Sequence, residues 1–318
     1  MADPGQTDSS LAVQRFQITI SFVGSGAVSG NWGPTLRGGF GHTLRKIACP
    51  FGRETCRGCT LGFRCAYGYL FETPVFSDSA VMRKYPEAPH PFIFEPPPPK
   101  NVVQHGEKAQ LGLVLVGRAV ELIPYIYLAL EELGRQGLGR ERVPFRVEQI
   151  AVEDGAVVWS WQAGRQFHPP DTHRLSLEPG PSRQSVFQIR FSSPTRIVTQ
   201  GQLSRSPQLL DLVKALARRA FLLRYFHCGG CLEPIAPEFF EAASQARILE
   251  SHFHWEDWER FSGRQKRHVP LGGLMGNMVL EADFGRLEPL LRAGEYVHVG
   301  KNTTFGLGKL TISEENSP

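Results

Sequence analysis

The sequence is short of cysteine and has almost no net charge. Six cysteines in 318 residues are too few for a disulfide scaffold, so their positions matter more than their number. Lys plus Arg total 35 and Asp plus Glu total 31, which leaves +4 and excludes a histone-like polycation. A hydrophobic share of 41% excludes disorder as the main state, and the length predicts two domains. A surface that binds nucleic acid must therefore be a local patch.

The sequence also lacks a targeting segment and a long uncharged apolar run. Its first residues, MADPGQTDSSLAVQRF, contain neither the basic nor the apolar region of a signal peptide. The most apolar long stretch, residues 111–130, includes Arg118, Glu121 and Pro124, which a membrane span tolerates poorly. We therefore expect a cytoplasmic protein that has no membrane partner.

Glycine (33) and proline (24) are abundant instead, which argues against a plain helical bundle. In the first half, alternating residues 13–23 predict a strand, and Leu36, Phe40, Leu44 and Ile47 mark one face of a helix. Residues 73–100, which carry four consecutive prolines, read as a surface loop. A buried strand, a helix ending on Gly134 and another strand follow.

The second half repeats the same order of elements. A strand is followed by a long helix at about 207–226, two strand candidates, a short helix, the segment YVHVG with the alternating pattern of a strand, a loop and a last strand. Both halves place Gly-Leu-Gly before a basic residue and the final strand. We predict an α+β protein with two tandem ferredoxin-like (βαββαβ, RRM-like) domains, at residues 1–170 and 171–318.

Several of these segments resemble the CRISPR-associated endoribonucleases that cut precursor CRISPR RNA, which are members of the RAMP superfamily. The most specific one is GGLMGNMVLEADFGRLEPLLRAGEYVHVGKNTTFGLGKLTI, whose glycine-rich loop occupies residues 300–308. The others are LRGGFGHTLR with the cysteines that follow it, YGYLFE, FSSPTRI and WERFSGRQK. The similarity covers most of the chain, and it is poor over residues 77–103.

The resemblance implies metal-independent cleavage of CRISPR repeat RNA by an internal 2′-hydroxyl, which leaves a 5′-hydroxyl and a 2′,3′-cyclic phosphate. Its implied partners are the repeat RNA and either other CRISPR effector subunits or a second copy of the chain. One alternative function is a non-cleaving RAMP subunit that binds RNA in an interference complex. Another is a redox protein built around the cysteines.

The resemblance also places the catalytic histidine on or beside the first helix, which selects His42. Arg45 and Lys46 lie within one helical turn of it and could hold the scissile phosphate. His42 falls off the apolar stripe, which supports its catalytic role. The alternative interpretation is that His42 is a solvated helix residue, because catalytic positions vary between members of the family. His298, directly before the glycine-rich loop, is the second candidate, either as an RNA-positioning residue or as a packed one.

The glycine-rich loop is the clearest candidate for RNA contact. Its small residues allow a phosphate or ribose to approach the backbone, while lysine and threonine side chains supply charge and hydroxyl groups. The alternative is that Phe305 and Leu307 fill the core and the glycines only form the turn. The predicted RNA-binding residues are Gly300, Lys301, Thr303, Thr304, Gly306, Gly308, Lys309, Arg264, Lys266, Arg267 and His298.

Four of the cysteines lie within one short segment, residues 49–65. Cys49, Cys56, Cys59 and Cys65 form the pattern C-x6-C-x2-C-x5-C, which is typical of a structural zinc site. An iron–sulfur cluster is the alternative, because it takes the same ligands, and catalysis needs neither. We leave Cys228 and Cys231 unassigned, and we interpret His252 and His254, which alternate along a strand, as a polar sheet face.

Overall fold

The protein, analysed as a computed structural model, is described at residues 9–28, 30–52, 56, 58–162, 166–168, 170–257, 259–262 and 267–314. At residues 260–262, 267 and 268 only the backbone is described. The chain separates into two compact units, Ala12–His173 and Arg174–Pro318, and Leu11 belongs to the second. Each unit mixes helices with an antiparallel sheet.

The described part of the N-terminal unit contains a main sheet, a two-stranded sheet and two long helices. Its elements are β1 (Leu11–Phe22), β2 (Gly26–Ala27), α1 (Trp32–Ala48), β3 (Phe92–Glu95), β4 (Val102–Val103), β5 (Lys108–Val116), α2 (Ile123–Gln136), β6 (Phe145–Val152) and β7 (Val157–Ser160). β2 pairs with β4 in the two-stranded sheet, and the strands of the main sheet lie in the order β3-β5-β1-β6-β7. The first four of them, with α1 and α2, follow the ferredoxin-like order. A short strand, β8 (His173–Leu175), lies where the two units divide.

The C-terminal unit has the same arrangement. Its elements are β9 (Gln184–Thr195), β10 (Val198–Thr199), β11 (Gln202–Leu203), α3 (Leu209–His227), α4 (Glu238–Ser244), β12 (Arg247–Glu256), β13 (Glu259–Ser262), β14 (Arg267–Pro270), β15 (Gly273–Asp283), α5 (Phe284–Val297) and β16 (Leu310–Glu314). The sheet order β12-β15-β9-β16 again places the first strand beside the third and fourth. The predicted α+β, ferredoxin-like fold is confirmed.

Alternation within β1 and β9 explains how the sheets bury one face. Phe16, Ile18 and Ile20 of β1 are fully buried, as are Phe187 and Ile189 of β9. The apolar stripe of each helix covers this buried face, which is the way in which an amphipathic helix stabilises a sheet. The other face of each sheet carries the polar residues of the alternation.

Three local predictions were wrong. Residues 73–100 were predicted to be a surface loop, yet Phe92–Glu95 is a fully buried strand of the N-terminal sheet. Gly134 does not end α2, because it lies inside the helix against the carbonyl of Phe145, and Gly137 (φ 83°) is the cap. The segment YVHVG was predicted as a strand, whereas α5 continues to Val297.

No helix within the described ranges is long and apolar enough to cross a membrane.

Candidate functional site

Helix α1 positions the three predicted catalytic residues. Asn31 caps its N-terminus by accepting a hydrogen bond from the Gly33 amide, and Leu36, Phe40 and Leu44 anchor the helix in the core. His42 falls off this stripe, and its side chain is exposed, so the imidazole is accessible to a substrate.

Lys46 and Arg45 have different surroundings on the same helix. The Lys46 ammonium is 2.8 Å from an Oε1 of Glu132 on α2, and the lysine side chain is 63% exposed. The hydrogen bond from Lys46 lowers the pKa of Glu132, so this carboxylate is charged at neutral pH. The guanidinium of Arg45 is half-buried and lies 5.6 Å from the centre of the Tyr67 ring. His42 and Lys46 are thus the more accessible pair.

An aromatic stack contacts a second arginine of α1, Arg37. The rings of Phe71 and Tyr67 are stacked with centroids 5.5 Å apart, and the Arg37 guanidinium lies 4.5 Å from the centre of Phe71. Arg37, Gly41 and Arg45 follow one another at four-residue intervals, so they share one helix face. Arg37 is not among the sequence-predicted site residues, although its four-residue spacing from Gly41 and Arg45 is a signal that could have identified it.

Two glycines on α1 give a testable contrast. A Cβ on Gly41 would lie 2.3 Å from Cζ of Phe71, whereas a Cβ on Gly38 would meet nothing within 4 Å. We expect Gly41→Ala to displace the Phe71 ring and lower the thermal midpoint of the N-terminal unit. We expect Gly38→Ala, its matched control, to raise stability by about 0.5–1 kcal/mol through helix propensity. Equal midpoints for the two variants in thermal denaturation would contradict this packing.

The four clustered cysteines follow α1 but do not form a completed metal site. Cys49 caps the helix, the Cys59 amide donates to the Cys56 carbonyl, and the Cys65 thiol lies 3.6 Å from the Ala48 carbonyl oxygen. Burial and the Glu72 carboxylate raise the pKa of the Cys56 thiol. Within the described part of the chain, no three His, Cys, Asp or Glu side chains form a group that could hold a metal ion.

The zinc site stays a prediction from the cysteine spacing, and elemental analysis of the purified protein tests it. We expect about one zinc per chain, because four thiolates in this spacing suit a tetrahedral site. Iron with a brown colour would favour the alternative cluster. A protein that holds neither metal would contradict both assignments and leave the thiols as packing residues.

The glycine-rich loop is fixed by backbone hydrogen bonds within the C-terminal unit. The Lys301 amide donates to the Arg196 carbonyl (3.1 Å), and the Gly308 amide donates to the Pro194 carbonyl (3.2 Å). Gly300 (φ 86°) and Gly308 (φ 74°) have left-handed backbones, and an added Cβ would lie 2.4 Å and 1.9 Å from the oxygens of Arg196 and Val299, respectively. The loop therefore packs directly on neighbouring backbone, as only glycine allows.

Side chains of the loop divide into an exposed and a buried set. Lys301 is exposed and Lys309 is half-buried, so both can present charge. Thr303 and Thr304 are only 4% and 8% exposed, and Gly306 and Gly308 are buried as well. These four predicted RNA contacts are therefore wrong for this conformation, because their atoms do not reach the surface. Phe305 and Leu307 pack with Leu271, which confirms that they fill the core.

His298 is buried, which corrects its predicted contact with RNA. The residue caps α5 with φ 57°, it is 0% exposed, and its Nδ1–H donates to the Leu307 carbonyl at 3.0 Å. A fully buried imidazole cannot touch RNA in this conformation. His298 instead ties the end of α5 to the glycine-rich loop.

Three further predicted RNA-binding residues are only partly described. Arg264 and Lys266 lie outside the described residues, and Arg267 is placed by its backbone alone, in the β13–β14 hairpin. On α3, the Nε of Arg219 donates to the Val297 carbonyl at 2.6 Å, and burial lowers its pKa to about 10. Arg219 is therefore a cap for α5 and not a surface charge.

Comparisons with known proteins agree with this geometry. The model of the CRISPR-associated endoribonuclease Cas6 family matches residues 189–310, and the model of the AF_1859_N N-terminal domain matches residues 11–172. An uncharacterised protein of Archaeoglobus fulgidus is 24% identical over 290 residues, which cover 88% of this chain and 91% of that protein.

Solved structures show the same fold at low sequence identity. A Cas6 product complex has a TM-score of 0.56 at 17% identity, over 95% of this chain and 100% of that chain. Thermus thermophilus Cas6 has a TM-score of 0.52 at 14% identity, over 95% and 99%. A partial Cas6-RT-Cas1–Cas2 complex has a TM-score of 0.56 at 15% identity; the match covers 97% of this chain but only 47% of that one.

Proposed function

We propose that this chain, which belongs to the CRISPR-associated Cas6-type proteins of the RAMP superfamily, cleaves CRISPR repeat RNA without a metal ion. The observation that carries the proposal is the exposed His42 on the first helix of a ferredoxin-like unit, with Lys46 one turn away. Both side chains are within reach of an incoming phosphodiester, as acid–base catalysis requires.

The proposed reaction is attack by a ribose 2′-hydroxyl on the adjacent phosphorus. The 2′-oxygen forms a bond to phosphorus while the bond from phosphorus to the 5′-oxygen breaks, which yields a 2′,3′-cyclic phosphate and a 5′-hydroxyl. His42 either removes the 2′ proton or supplies the proton to the leaving 5′-oxygen, and solvent water takes or supplies the other proton. Arg45 and Lys46 stabilise the negative charge that develops on the phosphorane.

The ion pair of Lys46 with Glu132 is compatible with this role. The lysine end of this pair is exposed to solvent, which weakens the attraction, so a phosphate can replace the Glu132 carboxylate. In the free protein, the pair would keep the ammonium close to His42, one helical turn away. The contact of Arg45 with Tyr67 would likewise limit the movement of the guanidinium before RNA binds.

We propose that the glycine-rich loop of the C-terminal unit binds the RNA backbone. Lys301 and Lys309 would provide positive charge, and the partly exposed main chain of Gly300 would lie beside the bound phosphate. By analogy with the Cas6-RT-Cas1–Cas2 complexes, other CRISPR proteins are the proposed protein partners.

Incubation of the protein with 5′-labelled repeat RNA in excess EDTA tests the proposed function. We expect cleavage at a single position, at the same rate with and without added Mg²⁺, because the proposed chemistry uses side chains only. Tight binding with no cleavage would favour the alternative, a non-cleaving RAMP subunit. Cleavage that requires Mg²⁺ would overturn the proposed mechanism.

A further inference from the structure

The outward face of the C-terminal sheet carries a row of polar side chains. In the register of the sheet, Arg190 on β9 lies opposite Asn277 on β15 and Thr311 on β16, and Asn277 lies opposite His252 on β12. Residues in register share a face, so this row crosses all four strands. The neighbours of Arg190 along β9, Ile189 and Phe191, are buried on the opposite face.

A cavity of about 430 Å³ opens on the same face. Gln188, Arg190, Ser192, His254, Met275 and Asn277 line it, together with Phe191 and Gly276. Its volume lies within the usual range of ligand-binding clefts, about 300–1,000 Å³. The lining combines one cation with amide, hydroxyl and imidazole groups, which can bind a phosphate and the polar edges of a base.

Arg190 is available to an anionic ligand. Its side chain is exposed, and it has no ion pair among the described residues. Arg15, on the first strand of the N-terminal unit, is by contrast paired with two carboxylates. Its Nη1 lies 2.7 Å from Oε1 of Glu153, and its Nε lies 3.5 Å from Oε2 of Glu95. Two acidic residues on β12 and β15 have ion-pair partners of their own, Glu250 with His252 and Glu281 with Arg247.

We propose that this face, centred on Arg190, binds a single-stranded segment of the RNA substrate. The inference rests on the proposed function, since it assumes that RNA is the ligand. Arg190 contacts a backbone phosphate, while Asn277, Gln188 and His254 hydrogen-bond to base edges. A single strand exposes these edges and a duplex hides them, so the polar lining fits a single strand better.

The outward row of Arg190, Asn277, Thr311 and His252 contains no Phe, Tyr or Trp side chain, which lowers the affinity expected for a single strand. Base stacking on aromatic rings is a major term in sequence-tolerant binding of single strands. With hydrogen bonds and a phosphate contact instead, we expect modest affinity that falls steeply with salt.

Fluorescence anisotropy with a labelled eight-nucleotide oligouridine measures this binding. We expect Arg190→Gln to weaken it about tenfold and to reduce the slope of log affinity against log salt by about 0.7, the loss of one phosphate contact. Asn277→Ala should weaken it about threefold at an unchanged slope, since a neutral contact is lost. Lys84→Gln, which removes an exposed charge from the N-terminal unit, is the matched control and should change the affinity less than twofold.

Cross-linking identifies the binding surface independently. A 4-thiouridine oligomer should attach to peptides that contain residues 188–192 or 275–277. Unchanged affinity of the Arg190→Gln variant, cross-links confined to other segments, or equal competition by a 12-base-pair RNA duplex would overturn the inference. These outcomes are distinct from failure of the proposed function, which wild-type protein would reveal as absent cleavage of repeat RNA.

Discussion

Replacement of His42 by alanine is expected to abolish cleavage of repeat RNA and to leave RNA binding within about twofold of wild type. The imidazole is exposed and does not belong to the apolar stripe of α1, so its removal should not unfold the N-terminal unit. Loss of a general acid or base costs about 100-fold to 10,000-fold in rate. Single-turnover cleavage of labelled RNA measures the rate, and filter binding measures the affinity.

His105→Ala is the matched control for this prediction. His105 is also exposed and lies in the N-terminal unit, and no catalytic role is proposed for it. We expect wild-type rates for this variant. A His42→Ala variant that cleaves within threefold of wild type would remove His42 from the mechanism. His298 could not take over as the catalytic histidine in this conformation, because its side chain is buried.

Substitution of Gly308 by alanine should have the largest effect on the C-terminal unit. The backbone there has φ 74°, and the new Cβ would lie 1.9 Å from the carbonyl oxygen of Val299, which belongs to the backbone and cannot rotate away. The positive φ alone costs about 1–2 kcal/mol of unfolding free energy. The backbone must also shift to avoid the clash, which raises the expected loss to about 3 kcal/mol. Denaturant unfolding followed by tryptophan fluorescence measures this loss.

Gly201→Ala separates the two contributions. Gly201 also has a positive φ, 82°, but an added Cβ would meet nothing within 4 Å. We expect the Gly201→Ala variant to lose about 1–2 kcal/mol of unfolding free energy and to keep its RNA affinity unchanged. For Gly308→Ala, displacement of the loop should weaken RNA binding as well, by at least tenfold. Equal stability losses in the two variants would contradict the close packing of the loop.

Periodicity predicted most of the fold, and its failures have physical reasons. β1 and β9 each bury one face, so their alternation was visible in the sequence. β3 was missed because all four of its residues are buried, which leaves no alternation, and prolines follow it directly. The segment Tyr296–Val297 resembles a strand locally, yet packing against the core extends α5 through it.

The candidate site was predicted less completely than the fold. The family resemblance selected His42 and the loop glycines, but it could not show that Thr303 and Thr304 are buried, because burial there depends on left-handed turns at Asn302 and Gly306. Arg190 was missed because a single arginine in an alternating strand gives no signal by itself. Only the strand register brings Asn277 and Thr311 beside it.

The chemistry of the RNA ends tests the central claim most directly. Repeat RNA is cleaved in excess EDTA, and the mass of the 5′ fragment identifies its new terminus. We predict a 2′,3′-cyclic phosphate on this fragment and a 5′-hydroxyl on the other, because the proposed attack comes from the neighbouring 2′-oxygen. A 3′-hydroxyl paired with a 5′-phosphate would require attack by water and would contradict the account.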